Sequence, residues 1–269
     1  MTEAWTPPMG IDPDRPSPAR VYDCYLGGTH NFAADRAVAA QAIAAMPQLP
    51  EIMRANRAFM RRAVRMVAFE GVDQFLDLGS GIPTEGNVHE IARQVRPEAR
   101  VVYVDVDPVA VIHSRSILEG DPQSAVLQAN LLDADRILDD PVVTGLLDLD
   151  RPVCLLLVAV LHFVPDSPVL RAALDRYRDA LAPGSYVVVS HATAEGQPRE
   201  TAKVSDLYTK VSQPLIPRSR ADLLELLAGW SLVEPGISQG MDWRPEPGDP
   251  PPPADLDRYA TLAAVARKP

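Results

Sequence analysis

An apolar run that ends in an acid and two glycines, Gln74-Phe75-Leu76-Asp77-Leu78-Gly79-Ser80-Gly81, constrains the fold of this chain more than any other segment. The apolar residues read as a strand, the glycines as a sharp turn, and a helical stretch over Asn87–Val95 follows. Glycine belongs where the backbone turns sharply and a ligand comes close, because a Cβ would obstruct it. In open α/β sheets such a turn lies at the carboxyl end of a strand, where nucleotide-like ligands bind.

Alternation continues on both sides of that turn. Phe75–Leu78, Val101–Val104, Ala125–Gln128, Val153–Val160 and Tyr186–Ser190 read as strands. Pro108–Leu118, Arg136–Leu138, Pro168–Leu181 and Arg220–Leu227 read as helices. Val153–Val160 is uninterruptedly apolar, as a central parallel strand covered on both faces should be. Ser231–Glu234 and Tyr259–Ala266 close the chain as antiparallel edge strands, with Pro245–Pro253 as an exposed loop between them. Residues 73–191 therefore predict a mostly parallel sheet with helices on both faces.

Ahead of the sheet, residues 1–16 are expected to be irregular and Arg20–Phe32 forms a short aromatic-rich segment. Ala34–Ala45 and Ile52–Glu70 are helical, the second with Phe59, Ala63, Met66 and Val67 on one face. The expected organisation is an N-terminal extension and helical cap over 1–70 and a ligand-binding domain over 71–269. Glu195–Pro217 reads as a loose stretch, with Tyr208 either anchoring a loop or lining a pocket.

Charge narrows the partners. With 36 acidic against 26 basic side chains the formal charge is −10, which disfavours nucleic acid or an anionic membrane. Arg54, Arg57, Arg61, Arg62 and Arg65 are most simply the wet side of an amphipathic helix. The 27 prolines crowd into the ends and connections, where long loops are expected. Cys24 and Cys154 form no ligand cluster or disulfide framework, and no run reaches membrane-spanning length. These features predict a soluble cytoplasmic protein without a metal site.

Asp105 sharpens the ligand. It ends Val101-Val102-Tyr103-Val104-Asp105, 24 residues after Gly81, where a carboxylate can chelate two ribose hydroxyls. A dinucleotide turn wants a third small residue, but Pro83 and Thr84 stand there, and Gly86 is displaced. Asp77 and Glu85 flank the turn and would repel a pyrophosphate, whereas a cationic sulfonium tolerates them.

These motifs resemble those of the class I S-adenosylmethionine-dependent methyltransferases. Asp77-Leu78-Gly79-Ser80-Gly81 looks like their glycine-rich first motif, and Asp105 with Val106 stands at their ribose-binding acid. Asn130 and Leu131 match the adenine-contacting position, Val158–His162, with Ala159, the end of the fourth strand, and Leu181–Ser185 the turn before the fifth. A nearer resemblance, over nearly the whole chain, is to an actinobacterial family of predicted methyltransferases of undefined substrate. It rests on Arg20–Phe32, Arg54–Arg57, Gly81–Thr84, Asn87–Glu90, Val104–Pro108 and Leu161–Asp166.

The resemblance implies a Rossmann-like seven-stranded sheet, mostly parallel, with an antiparallel C-terminal strand and an N-terminal helical lid. It implies S-adenosylmethionine as cofactor and a small-molecule acceptor, and leaves the oligomeric state open. The segment with Tyr22, His30 and Asn31 reads either as a lid helix packed on the sheet edge or as closing over the cofactor together with Arg57, with Arg57 or Arg20 meeting its carboxylate. His162 is the candidate catalytic base, or else lines the pocket; His191 is a weaker candidate and His89 a local hydrogen-bonding residue. Trp230 reads as core and Trp243 as core or acceptor platform. The alternatives are a catalytically silent protein that binds S-adenosylmethionine or S-adenosylhomocysteine, and an NAD(P)-dependent oxidoreductase.

Overall fold

A sheet of seven strands organises the chain, in a computed structural model that describes residues 11–83, 86–247, 249 and 259–269. Thr84, Glu85, residues 1–10 of the expected irregular segment and most of the Pro245–Pro253 loop lie outside the described residues. The strands are β1 (Gln74–Leu78), β2 (Arg100–Asp105), β3 (Ser124–Gln128), β4 (Cys154–Val158), β5 (Tyr186–Ala192), β6 (Ser231–Leu232) and β7 (Thr261–Arg267). Their order is β3-β2-β1-β4-β5-β7-β6, with β1 to β5 parallel and β7 antiparallel to both neighbours. The closing strands are thus not both at the edge: β7 lies inside the sheet, and only the short β6 faces out.

Period-two alternation assigns each strand residue to one of two cores. Leu76, Leu78, Val102, Val104, Leu155, Leu157, Val187 and Val189 face one side. There they meet α6 (Ala134–Leu138), α7 (Pro141–Thr144), α8 (Pro168–Ala180) and α10 (Arg220–Leu226). Phe75, Val101, Tyr103, Cys154, Leu156 and Val188 face the other, against α3 (Leu49–Phe69) and α4 (Val88–Arg93). α5 (Pro108–Ile117) packs along β2 and β3. Cys154 is a free thiol buried in the second core.

Six of the prolines act within helices. Pro18, Pro50, Pro108, Pro141, Pro168 and Pro198 occupy first-turn positions, where the missing N–H has no partner to lose. Ser17, Asp107, Asp140 and Ser167 cap four of these helices by accepting from first-turn amides.

A third apolar cluster joins α1 (Pro18–Tyr25), α2 (Ala33–Ala45) and the start of α3 to α9 (Pro198–Tyr208). The lid is therefore built from two distant segments. The stretch read as loose contains α9, because its apolar residues are few; Thr201, Val204 and Tyr208 nevertheless stand at i, i+3 and i+7, on one buried face.

The arginine helix also departs from the simple amphipathic reading. Arg54 and Arg61 are exposed, but Arg62 is buried and donates to the Trp243 and Gly240 carbonyls at 2.9 and 2.6 Å and to Asp249 at 2.9 Å. Trp243 itself is fully buried, edge-on to Phe59, and is core rather than platform; Trp230 packs partly buried against the other core. Trp243→Ala should cost about 3–5 kcal/mol in denaturant unfolding, as large core truncations do, while leaving ligand affinity unchanged because the ring lines no ligand cavity.

Candidate functional site

The order β2-β1-β4 reverses the direction of chain progression at β1, and a cavity of about 410 Å³ lies at the carboxyl ends there. The glycine turn forms its floor. Gly79 and Ser80 N–H groups both donate to the Val104 carbonyl, at 2.8 and 3.2 Å, which folds the loop across the end of β2. Gly79 has φ +73°, and a Cβ there would lie 2.2 Å from Val160 Cγ2. The close approach that demands glycine is thus a protein side chain. Gly81, at φ +67°, has open space around it and is needed for its backbone conformation alone.

Asp105 holds this loop as well as lining the cavity. Its Oδ2 accepts from Gly81 N at 2.7 Å and its Oδ1 from Asp107 N at 2.8 Å. Each carboxylate oxygen keeps a second acceptor site for a ligand hydroxyl. Burial pushes its pKa up to about 6, against these backbone donors. Asp77 is more strongly affected: burial pushes it up to about 7, Arg57 opposes and Asp105 adds to the rise. Ser80 Oγ is enclosed beside them without a hydrogen-bond partner among the described residues.

The remaining walls come from several elements. Val106, Asn130 and Leu131 follow β2 and β3; Asn130 Oδ1 accepts from Leu132 N at 3.0 Å, and the Leu131 carbonyl is held by the Tyr177 hydroxyl at 2.8 Å. Ala159 ends β4 at φ +54°, a conformation unusual for a residue with a side chain. From the lid, Tyr22 and Arg57 reach the same cavity, Arg57 donating to the Gly86 carbonyl at 2.9 Å. The structure thus brings Asp77, Gly79, Ser80, Gly81, Asp105, Val106, Asn130, Leu131, Ala159, Tyr22 and Arg57 around one space.

His30, Asn31 and His162 lie elsewhere. His30 is exposed and lies against His113, with ring centroids 4.1 Å apart and the rings tilted by 60°. Asn31 donates to Asp23 and the Gly28 carbonyl, tying the turn after α1. Arg20 borders the cavity but is committed to Asp35 at 3.0 Å. His162, in the 3-10 turn Leu161–Phe163, is buried in an adjoining small cavity with His191. His89 is paired with the Tyr103 hydroxyl, 2.8 Å from its Nδ1.

Sequence reasoning missed three groups. Asn56, on α3, donates to Tyr22 Oη at 3.0 Å and accepts from Ser190 Oγ at 2.5 Å; Ser190 in turn accepts from Ala159 N at 3.0 Å. This buried chain ties the lid to the left-handed residue that ends β4. Arg218, also buried, donates to the Leu161 and Val164 carbonyls, both at 2.8 Å, and clamps the turn that carries His162. Polar residues on an apolar helix face were the available signal for Asn56; Ser190 and Arg218 offered none.

Comparison with known proteins decides the family. The family described as S-adenosyl methyltransferase matches residues 4–269. This chain belongs to that family. A candidate methyltransferase from Thermobifida fusca YX is 39% identical, with 98% of this chain and 99% of that one covered and a TM-score of 0.91. A DUF574 family protein from Streptomyces avermitilis MA-4680 is 41% identical, with 96% and 99% covered and a TM-score of 0.91. The N-methyltransferase NodS from Bradyrhizobium japonicum WM9, in complex with S-adenosyl-L-homocysteine, is 15% identical, with 81% and 88% covered and a TM-score of 0.50; it shows the fold alone. No curated protein matches significantly.

The protein is an S-adenosylmethionine-dependent methyltransferase with the Rossmann-like class I fold, and neither the oxidoreductase nor the silent-binder reading is supported. The methyltransferase cavity fits that cofactor chemically. Two buried carboxyls with raised pKa face it, as suits a cationic ligand, and the unpartnered Ser80 hydroxyl suits a polar one. Because the folded pKa of Asp77 exceeds its unfolded value, its contribution to stability is complete below about pH 4 and is lost as pH rises through about 7. The melting temperature of the ligand-free protein should therefore fall more between pH 5 and 8 than that of Asp77→Asn.

Proposed function

We propose that this methyltransferase acts on a small molecule and that the β1/β4 cavity holds the cofactor through the residues that converge on it. In this reading Asp105 accepts from the ribose hydroxyls and Asn130 meets the adenine edge, which their position on the cavity wall with Val106 and Leu131 supports. Asp77 supplies negative charge for the cationic end, Gly79 to Gly81 a close backbone, and Tyr22 with Arg57 a cover from the lid. When bound, S-adenosylmethionine supplies a sulfonium-activated methyl carbon. The protein's part is to hold the acceptor in line with it and to exclude water, which can account for much of the rate without a dedicated base.

One observation carries this reading. The glycine turn, its Asp105 clamp and the buried Asp77 meet at the carboxyl ends of adjacent parallel strands, in a chain of this family. The acceptor is read as small because the charge of −10 repels a polyanionic one and the lid covers the site. No described helix is long and apolar enough to cross a membrane, and a cytoplasmic location with no membrane partner belongs to the same reading.

Calorimetry should show S-adenosylmethionine binding and no NADH binding; a folded protein that binds no S-adenosylmethionine would overturn the assignment of the cavity. Asp105→Ala should weaken that binding at least tenfold, about 1.4 kcal/mol, and an unchanged dissociation constant would move the ribose contact elsewhere. Affinity should also rise from pH 6 to 8 as Asp77 ionises, and Asp77→Asn should flatten that profile.

A further inference from the structure

Behind the cofactor cavity lies a smaller chamber of about 70 Å³. Pro18, Tyr22, Asn56, Ala159 and Phe163 line both spaces and form the neck between them. The chamber's other walls come from α1, α3, α9, Met46 just after α2, the turn that follows β4 and the ends of β5 and β7, so the lid helices roof it. Among the described residues that line it there is no Asp, Glu, Lys or Arg.

Every titratable group among the described wall residues has its proton assigned. His162 Nδ1 accepts from Ala192 N at 3.2 Å, so the neutral ring carries its proton on Nε2. His191 Nε2 accepts from Arg218 at 2.9 Å, and its Nδ1–H donates to the Ala192 carbonyl at 2.7 Å. Burial holds both rings neutral, His162 well below the ordinary histidine range and His191 down to about 4. Tyr25 and Tyr208, whose hydroxyls lie 3.5 Å apart, are kept protonated by burial, Tyr208 with its pKa raised to about 12. Tyr22 is likewise raised by burial. His162 is thus a donor here and no base.

Those facts select among acceptors. An alcohol or phenol must give up its proton as it attacks, and no side chain among the described wall residues is free to take it. An aliphatic amine arrives as an ammonium and a thiol reacts as a thiolate; each would be buried without a counter-charge. A weakly basic aromatic nitrogen is uncharged at neutral pH and keeps its lone pair exposed. Phe163, stacked on Tyr208 at 5.7 Å and 19°, offers a flat wall.

We propose that this chamber is the acceptor site and that it takes an uncharged aromatic compound bearing a weakly basic ring or aryl nitrogen. The proposal rests on the cofactor reading above. At about 70 Å³ the chamber is smaller than the dry cavity of about 150 Å³ that holds benzene, so a single ring enters only once the adaptable Met46 and Met53 side chains on the wall give way. The nitrogen lone pair forms the new N–C bond as the donor's S–C bond breaks, and that bond's electron pair goes to sulfur. Where the nitrogen bore a hydrogen, the cationic product releases it to water.

The test is calorimetry on the full chain saturated with S-adenosylhomocysteine, titrated with aniline and, separately, with benzylamine as its charged counterpart. Aniline should bind at least tenfold more tightly, and equal or tighter binding of benzylamine overturns the proposal. Val204→Phe, which fills the chamber from α9, should weaken aniline binding at least tenfold with S-adenosylhomocysteine affinity within twofold of the parent. Unchanged aniline affinity in that variant also overturns it, and Thr201→Leu replaces the variant if it fails to fold. With S-adenosylmethionine present, mass spectrometry should find methylated aniline and no methylated phenol; the reverse places a base in the chamber and overturns the proposal. A folded protein that binds no S-adenosylhomocysteine fails at the first titration, which marks failure of the cofactor reading instead.

Discussion

The hydrogen bond from Gly81 N to Asp105 Oδ2, with the two amides that converge on the Val104 carbonyl, is the contact around which the site is assembled. It joins the turn after β1 to the end of β2, so both cofactor elements move as one unit. Left-handed φ values at Gly79 and Gly81 make that turn possible. Val160, which packs where a Gly79 side chain would be, carries the restraint across to the end of β4. Three strand ends are thereby held at a fixed spacing before any ligand arrives.

A second restraint descends from the lid. Tyr22, Asn56 and Ser190 form a buried hydrogen-bonded chain that ends on Ala159, the residue in an unfavoured backbone conformation at the neck between the two cavities. Such conformations persist only where the surroundings over-determine them. Here α1, α3 and β5 all contribute, and Arg218 pins the following turn from the other side. The lid is therefore coupled to the sheet edge by polar contacts as well as by apolar packing.

The two cavities differ in electrostatics, and that difference divides their labour. The larger contains two buried carboxyls whose pKa values are raised chiefly by burial. The smaller is walled by aromatic, aliphatic and neutral polar groups. A charged donor and an uncharged acceptor fit these two environments on either side of one neck.

The parallel sheet, the glycine turn and the ribose-side acid were legible because each depends on local patterns: apolar runs, glycines at a strand end, an acid closing the next strand. Asp77, Gly79, Gly81 and Asp105 meet as read, since parallel strands bring their carboxyl ends to one edge. His30 and Asn31 were drawn toward the site by proximity in sequence to Tyr22, yet a helix of 8 residues turns them away to tie its own following loop. The internal place of β7, the second half of the lid in α9, the burial of Arg62 and the proton positions on His162 and His191 depend on partners far away in the chain. The sequence by itself determined the fold class and the methyl donor, because these follow from periodicity and from motifs contiguous in the chain. Only the tertiary structure decided how the lid closes and which protonation states surround the acceptor chamber, because burial and hydrogen-bond partners are properties of residues brought together from afar.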